Sequence, residues 1–181
     1  MLFVETGTSS ISFNRFDLPD GIKYETQNNW GAIGWATPAV FGGALAQKAL
    51  GEERRVILLT GEGALQLTAQ EISTMARQDL PIIFVVNNKG YTVERAIHGK
   101  NSEYNDIAEW DYSKLLSVFA PKKDVNNFSV HNFSELEQAF ESVKSGKKLS
   151  LIELHFDPLD APEFLWKTGE VLAEYDYGRT L

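Results

Sequence analysis

Two short segments of this sequence hold residues that could bind a charged ligand. Gly61-Glu62-Gly63 leaves an apolar run, Arg55 to Thr60, and leads toward a helix. Glycines let backbone approach a ligand closely, and free N–H groups ahead of a helix favour an anion. A carboxylate between them would repel a phosphate unless a cation lay between. Mg²⁺ answers this, because it takes one or two carboxylates together with phosphate oxygens. Asn87-Asn88-Lys89-Gly90 closes the next apolar run. An Asn side-chain oxygen and a backbone carbonyl are hard ligands suited to Mg²⁺ or Ca²⁺. Taken singly, each segment also reads as an ordinary turn. The pairing is more telling, because neighbouring strand ends could set Asn88 beside Glu62.

The elements that must position these groups follow from pattern. Arg55 to Thr60 and Pro81 to Val86 read as strands buried on both faces, and Leu149 to Phe156 as a third. Residues 1 to 4 read as half a strand, either a short edge strand at a natural terminus or the start of a fragment. Glu5 to Ser10 reads as a polar turn, and residues 11–30 as loop, with a turn at Pro19-Asp20-Gly21. Thr37 fits a helix N-cap, Pro38 the first helical position and Gly51 the position after the helix. The Gly42-Gly43 pair between them suggests close packing against a sheet or a ligand. Thr68 to Arg77 reads as one helix, and Asp111 caps a short helix with Leu115, Leu116 and Phe119 inward. Lys122 to Asn127 reads as a connector. Ser134-Glu135-Leu136-Glu137 reads as a capping box, with Gly146 ending its helix and Glu163 to Tyr175 forming the last one. Strands alternating with helices imply an α/β fold: a parallel sheet with helices on both faces, whose ligands sit at the carboxyl ends of the strands.

Composition narrows the chemistry. The chain has 181 residues, 17 Lys and Arg against 25 Asp and Glu, and no cysteine. One domain is the natural count at this length. Disulfides, Cys-ligated zinc, iron–sulfur clusters and thiol nucleophiles are excluded. A net charge of −8 argues against nucleic acid as a partner. No apolar run approaches the roughly 20 residues of a membrane span, so no membrane partner is expected. Met1 to Val4 lacks the basic start and length of a signal segment, and the expected compartment is the cytoplasm.

Gly61-Glu62-Gly63 followed by Asn87-Asn88 resembles the Gly-Asp-Gly…Asn-Asn motif of enzymes that use thiamine diphosphate. The match continues through Leu65 to Met75, Gly90-Tyr91-Thr92-Val93-Glu94, Ile97-His98-Gly99 and Tyr104-Asn105-Asp106-Ile107. These segments resemble the 2-oxo acid decarboxylases that act on pyruvate, indolepyruvate and branched-chain acids. Glu5 to Ser9 and Trp30 to Gly34 fit the same pattern. The resemblance implies the thiamine diphosphate-binding fold, a three-layer parallel sheet. It implies that residues 1–181 form one diphosphate-binding C-terminal domain, without the family's N-terminal pyrimidine-binding and middle domains.

By motif position, Glu62, Asn88 and the Gly90 carbonyl should hold Mg²⁺. The amides of Gly63 and Ala64 and the Thr8 side chain should meet the diphosphate. Gly31 should receive the aminopyrimidine amino group on its carbonyl, and Ile33 should wedge thiamine diphosphate into its bent shape. Glu94 matches the active-site glutamate that moves a proton after CO₂ leaves and assists aldehyde release. Val93 and Ile97 match the substrate-pocket wall, with plain core packing as the alternative. His98 reads as structural. Phe164, Leu165 and Trp166, on the last helix, are candidates to cap the pocket, with a surface-packed amphipathic helix as the alternative, and Trp30, Trp35 and Phe41 to meet the missing half, with core packing as the alternative.

Two departures stand out. Glu62 replaces the usual Asp, which pushes the carboxylate out by about 1.5 Å. Ala64 replaces a common Ser. The expected function is therefore the C-terminal part of a 2-oxo acid decarboxylase, inactive alone. It would act on its 2-oxo acid with a complementary N-terminal pyrimidine-binding domain or subunit, as a homo-oligomer. An orphan scaffold domain and a domain of another enzyme such as acetolactate synthase are the alternatives.

Overall fold

The computed structural model describes residues 1–52, 54–144 and 148–175. Six strands, β1 (Leu2–Val4), β2 (Tyr24–Thr26), β3 (Ile57–Gly61), β4 (Ile82–Asn87), β5 (Asn126–Val130) and β6 (Ser150–His155), form one sheet in the order β2-β1-β3-β4-β6-β5. Every pairing is parallel. Helices α1 (Thr8–Phe13), α2 (Ala36–Ala49), α3 (Glu62–Thr68), α4 (Glu71–Arg77), α5 (Thr92–His98), α6 (Leu115–Phe119), α7 (Phe133–Lys144) and α8 (Glu163–Glu174) fill the connections. The expected parallel three-layer α/β architecture is the one observed.

Side chains alternate across the sheet and build a core on each face. Phe3, Leu58 and Leu151 point to a large cluster completed by Val40, Leu65, Ile72 and Met75. Ile57, Leu59 and Ile152 point the other way, toward Val130, Ala139 and Val143. Gly43 shows why α2 carries small residues. A Cβ there would lie 2.5 Å from the Phe3 ring, so the glycine lets the helix approach the sheet.

Several sequence expectations need correction. β1 is an interior strand between β2 and β3, not an edge. Glu5 to Ser10 is not all turn, because α1 starts at Thr8, and residues 11–30 also contain β2. Both elements are too short to show a period. The expected helix over 68–77 is two helices, with Ala69 and Gln70 between them. α2 begins two residues early, with Trp35 at its N-cap position, and Thr37 is buried inside it. The Lys122–Asn127 connector runs into the unforeseen strand β5. The capping box lies upstream: the Asn132 side chain accepts the Glu135 N–H at 3.0 Å, and the Glu135 carboxylate accepts the His131 N–H at 2.6 Å. Gly146 lies outside the described residues.

Strand order creates a switch point. The connection after β1 runs to β2 on one side, whereas the connection after β3 runs to β4 on the other. Loops leaving β1 and β3 therefore part, and a crevice opens above the carboxyl ends of these strands. α8 packs across α5 beside it, and a Cβ on Gly169 would lie 2.4 Å from the Ala96 carbonyl oxygen. That neighbour is backbone and cannot step aside. Gly169→Ala should therefore lower unfolding stability by about 1–3 kcal/mol, the usual cost of overpacking. Urea unfolding checks this, and an unchanged midpoint would show that the two helices are not in close contact.

Candidate functional site

Register fixes the floor of the crevice. Gly61 lies opposite Val86, so the residues that follow, Glu62 and Asn87-Asn88, leave the sheet side by side. Four segments then converge on a cavity of about 690 Å³. The loop after β1 brings Thr6, Gly7 and Thr8, and the turn after β3 brings Glu62, Gly63 and Ala64. The segment after β4 brings Asn88, Gly90, Val93, Glu94 and Ile97. The β2–α2 loop adds Gly31 and Ile33. Every residue expected to meet the metal, the cofactor, the reacting proton or the substrate lines this one cavity.

Glu62 is 2% exposed. Its Oε1 accepts the Gly90 N–H at 2.7 Å. Burial pushes its carboxyl above the ordinary glutamate range, opposed by N–H groups of Gly90, Glu62 itself and Asn88 and by the Arg95 charge. The glutamate side chain thus spans from the end of β3 to the β4 loop. Asn88 is also buried, and its Nδ2 donates to Thr92 Oγ1 at 2.5 Å. Thr92 in turn donates to the Pro158 carbonyl. With its nitrogen so engaged, the amide presents its oxygen as the end that can meet a cation. Asn87 serves the framework, donating to Glu153 on β6 at 2.8 Å.

These groups fit a small hard cation that keeps part of its shell elsewhere. No cluster of three or more His, Cys, Asp or Glu able to hold a metal occurs among the described residues. One carboxylate, one amide oxygen and a main-chain carbonyl are hard oxygen donors that suit Mg²⁺ shared with phosphate oxygens. The glycines leave the room. A Cβ on Gly63 would lie 2.4 Å from the Tyr91 ring, so a side chain there would have to push that ring aside. Gly31 has φ +60 and Gly90 has φ +129, conformations that side chains disfavour.

A second buried carboxylate, not singled out from the sequence, shapes the opposite loop. Glu5 is fully buried. Its Oε2 accepts the N–H groups of Gly34 and Ala36, each at 3.1 Å, and its Oε1 accepts that of Thr6. Thr6 Oγ1 donates to the Gln27 carbonyl at 2.7 Å. Residues 27–36, and with them Gly31 and Ile33, are therefore fastened to the end of β1. A lone acidic residue at a strand end gives little sequence signal for such a clamp.

Glu94 sits in the first turn of α5, where its Oε2 lies 3.2 Å from His98 Nε2, one turn on. The Glu94 side chain is 40% exposed, so the described residues enclose it on one side only. Leu172 and Tyr104 also line the cavity and were not foreseen. Of the expected α8 cap, Leu165 is buried in the body of the domain, Phe164 stacks under Arg15 and Trp166 under Lys100. Helical phase, not position along α8, decides which side chain reaches the cavity. Trp30 is the most open of the expected interface aromatics at 87%, while Trp35 and Phe41 pack on the core.

Residues 5–154 match the family model of the thiamine pyrophosphate enzyme C-terminal TPP binding domain. The chain belongs to that family. The cofactor this membership implies is thiamine diphosphate with Mg²⁺. This thiamine pyrophosphate-binding domain is 43% identical over 176 residues to a pyruvate decarboxylase of Aspergillus fumigatus, a match covering 96% of this chain and 31% of that protein. It is 41% identical to pyruvate decarboxylase isozyme 3 of Saccharomyces cerevisiae, with the same coverage. The chain thus spans about a third of the length of the curated relatives it matches. Among solved structures, benzoylformate decarboxylase from Polynucleobacter necessarius shares the fold, with a TM-score of 0.75 at 24% identity over 87% of this chain and 30% of that one. No helix among the described residues is long and apolar enough to cross a membrane.

The Glu5 clamp has a pH signature. Burial outweighs the three N–H groups and lifts its carboxyl above the ordinary value of 4.5. The folded domain then holds this proton more tightly than the unfolded chain. The group's contribution to stability is full below that ordinary value and is lost as pH rises through the folded-state value. Glu5→Gln does not titrate and lacks this decline. Urea unfolding at constant ionic strength should show the unaltered protein losing ground to E5Q from about pH 4.5 toward neutrality. A gap moving the other way would mean that the amide donors outweigh burial.

Proposed function

We propose that this chain is the diphosphate- and metal-binding part of a thiamine diphosphate-dependent 2-oxo acid decarboxylase, which releases CO₂ and an aldehyde. The observation that carries this reading is the convergence of Glu62, Asn88 and Gly90 with Val93, Glu94 and Ile97 on one cavity at the switch point of the sheet. The pyruvate decarboxylase relatives support the same reaction class. A cytoplasmic setting goes with this reading.

Glu62, Asn88 and the Gly90 carbonyl would hold Mg²⁺, and the Gly63 and Ala64 amides with Thr8 would hold the diphosphate. Gly31 and Ile33 would orient the organic part of thiamine diphosphate. When bound, that cofactor supplies the electron sink for the carbon–carbon bond that breaks. Glu94 would deliver and withdraw a proton at the substrate carbon, with His98 holding its carboxylate in place. Val93 and Ile97 would form an apolar wall that excludes water from the 2-oxo acid. The exposed side of Glu94 calls for a second surface. We assign that surface to a complementary pyrimidine-binding region, whether on the same polypeptide or a partner, within a homo-oligomer.

The test is reconstitution with thiamine diphosphate, Mg²⁺ and pyruvate. The chain combined with its complementary amino-terminal region should release CO₂, and the chain alone should not. Glu94→Gln should cut turnover of the combined system by about 10²–10⁴-fold, the usual worth of one general acid–base group. Cofactor binding without any CO₂ release would favour the scaffold reading instead.

A further inference from the structure

The peptide unit joining Lys89 to Gly90 is gripped from both ends. Its N–H, on Gly90, donates to Glu62 Oε1 at 2.7 Å. Its carbonyl, on Lys89, accepts Arg95 Nη2 at 3.0 Å. Arg95 is itself only 6% exposed. It also donates through Nη1 to the Lys100 carbonyl at 3.1 Å, and through Nη2 to Asp106 Oδ1 at 2.6 Å. The unit it holds is not a relaxed one. Lys89 has φ +58, a left-handed conformation that a side chain disfavours, and Gly90 follows at φ +129. A side chain at Gly90 would strike the Asn105 carbonyl, which also receives the Tyr91 N–H. Such a turn persists only where its surroundings hold it, and Arg95 is the buried cation that does so.

We propose that Arg95 is the positioning residue of the cation loop: by holding the Lys89 carbonyl it aims the Gly90 N–H at Glu62 and fixes how Glu62, Asn88 and Gly90 face the cavity. The proposal rests on the reading that these three hold the cofactor's cation, and it adds a residue outside that set. Arg95 meets neither cation nor substrate and acts through one peptide unit. Its planar fork reaches several carbonyls at once, which a lysine ammonium on a flexible stem cannot reproduce.

The test uses the chain combined with its complementary amino-terminal region, with Mn²⁺ as probe, titrated by electron paramagnetic resonance in the presence of thiamine diphosphate. Arg95→Lys keeps the charge but not the fork. It should weaken Mn²⁺ binding by about 10–100-fold, the usual effect of losing a group that orients a metal ligand. Turnover should recover at saturating Mn²⁺, which a general loss of folding would not allow. Adding Lys89→Gly, which removes the strained conformer, should recover part of the lost affinity. Amide exchange read without metal should show the Gly90 N–H less protected in R95K. If R95K does not fold, K89G is compared with the double variant, where weaker binding by the double variant supports the proposal and equal binding overturns it. Unchanged Mn²⁺ affinity in R95K, or unchanged Gly90 protection, overturns the proposal while leaving the proposed function standing. Absence of Mn²⁺ binding by the unaltered protein overturns both.

Discussion

The site depends on one buried carboxylate that joins two strand ends. Glu62 leaves β3, is shut off from solvent, and reaches the Gly90 N–H beyond β4. Burying a carboxylate is unfavourable unless donors or positive charge meet it. Here main-chain N–H groups and the nearby Arg95 supply part of that compensation, yet the net effect of burial still favours the proton. A divalent cation would supply the remainder. The parallel register that sets Gly61 against Val86 makes the arrangement possible.

Glu5 repeats the device at the other side of the switch point. It too is a buried carboxylate whose partners are main-chain N–H groups, here those of neighbouring Thr6, of Gly34 in the β2–α2 loop and of Ala36 at the start of α2. One acidic residue after β1 fixes the loop carrying Gly31 and Ile33, and another after β3 fixes the loop carrying Gly90. The two sides of the cavity are thereby tied to neighbouring strands of one sheet. Loops fixed in this way act as parts of the scaffold, which is what precise placement of a cofactor requires.

Much of this was legible in the sequence, for identifiable reasons. Arg55 to Thr60, Pro81 to Val86 and Leu149 to Phe156 are rich in branched apolar residues, as centrally placed parallel strands tend to be, and they named β3, β4 and β6. The short motifs at their carboxyl ends drew attention to Glu62 and Asn88, whereas Glu94, on the first turn of α5, entered only through the family resemblance. What escaped had no local signature. β2 spans three residues at the margin of the sheet, and β5 mixes Asn and Ser into a half-exposed strand. Arg95 looks like one more charge on a short helix until the chain folds and several carbonyls converge on its guanidinium. Leu172 reaches the cavity only because Gly169 seats α8 against α5. Contacts between segments distant in sequence decide such roles, and no window of residues contains them.

The most direct test is a crystal structure of this chain with its complementary amino-terminal region, grown with Mg²⁺ and thiamine diphosphate. The expected result is an ion about 2.1 Å from an oxygen of Glu62 and from the Asn88 amide oxygen, with diphosphate oxygens among its other ligands. An ion seated elsewhere, or a diphosphate bound while Glu62 stays uncoordinated, would contradict it.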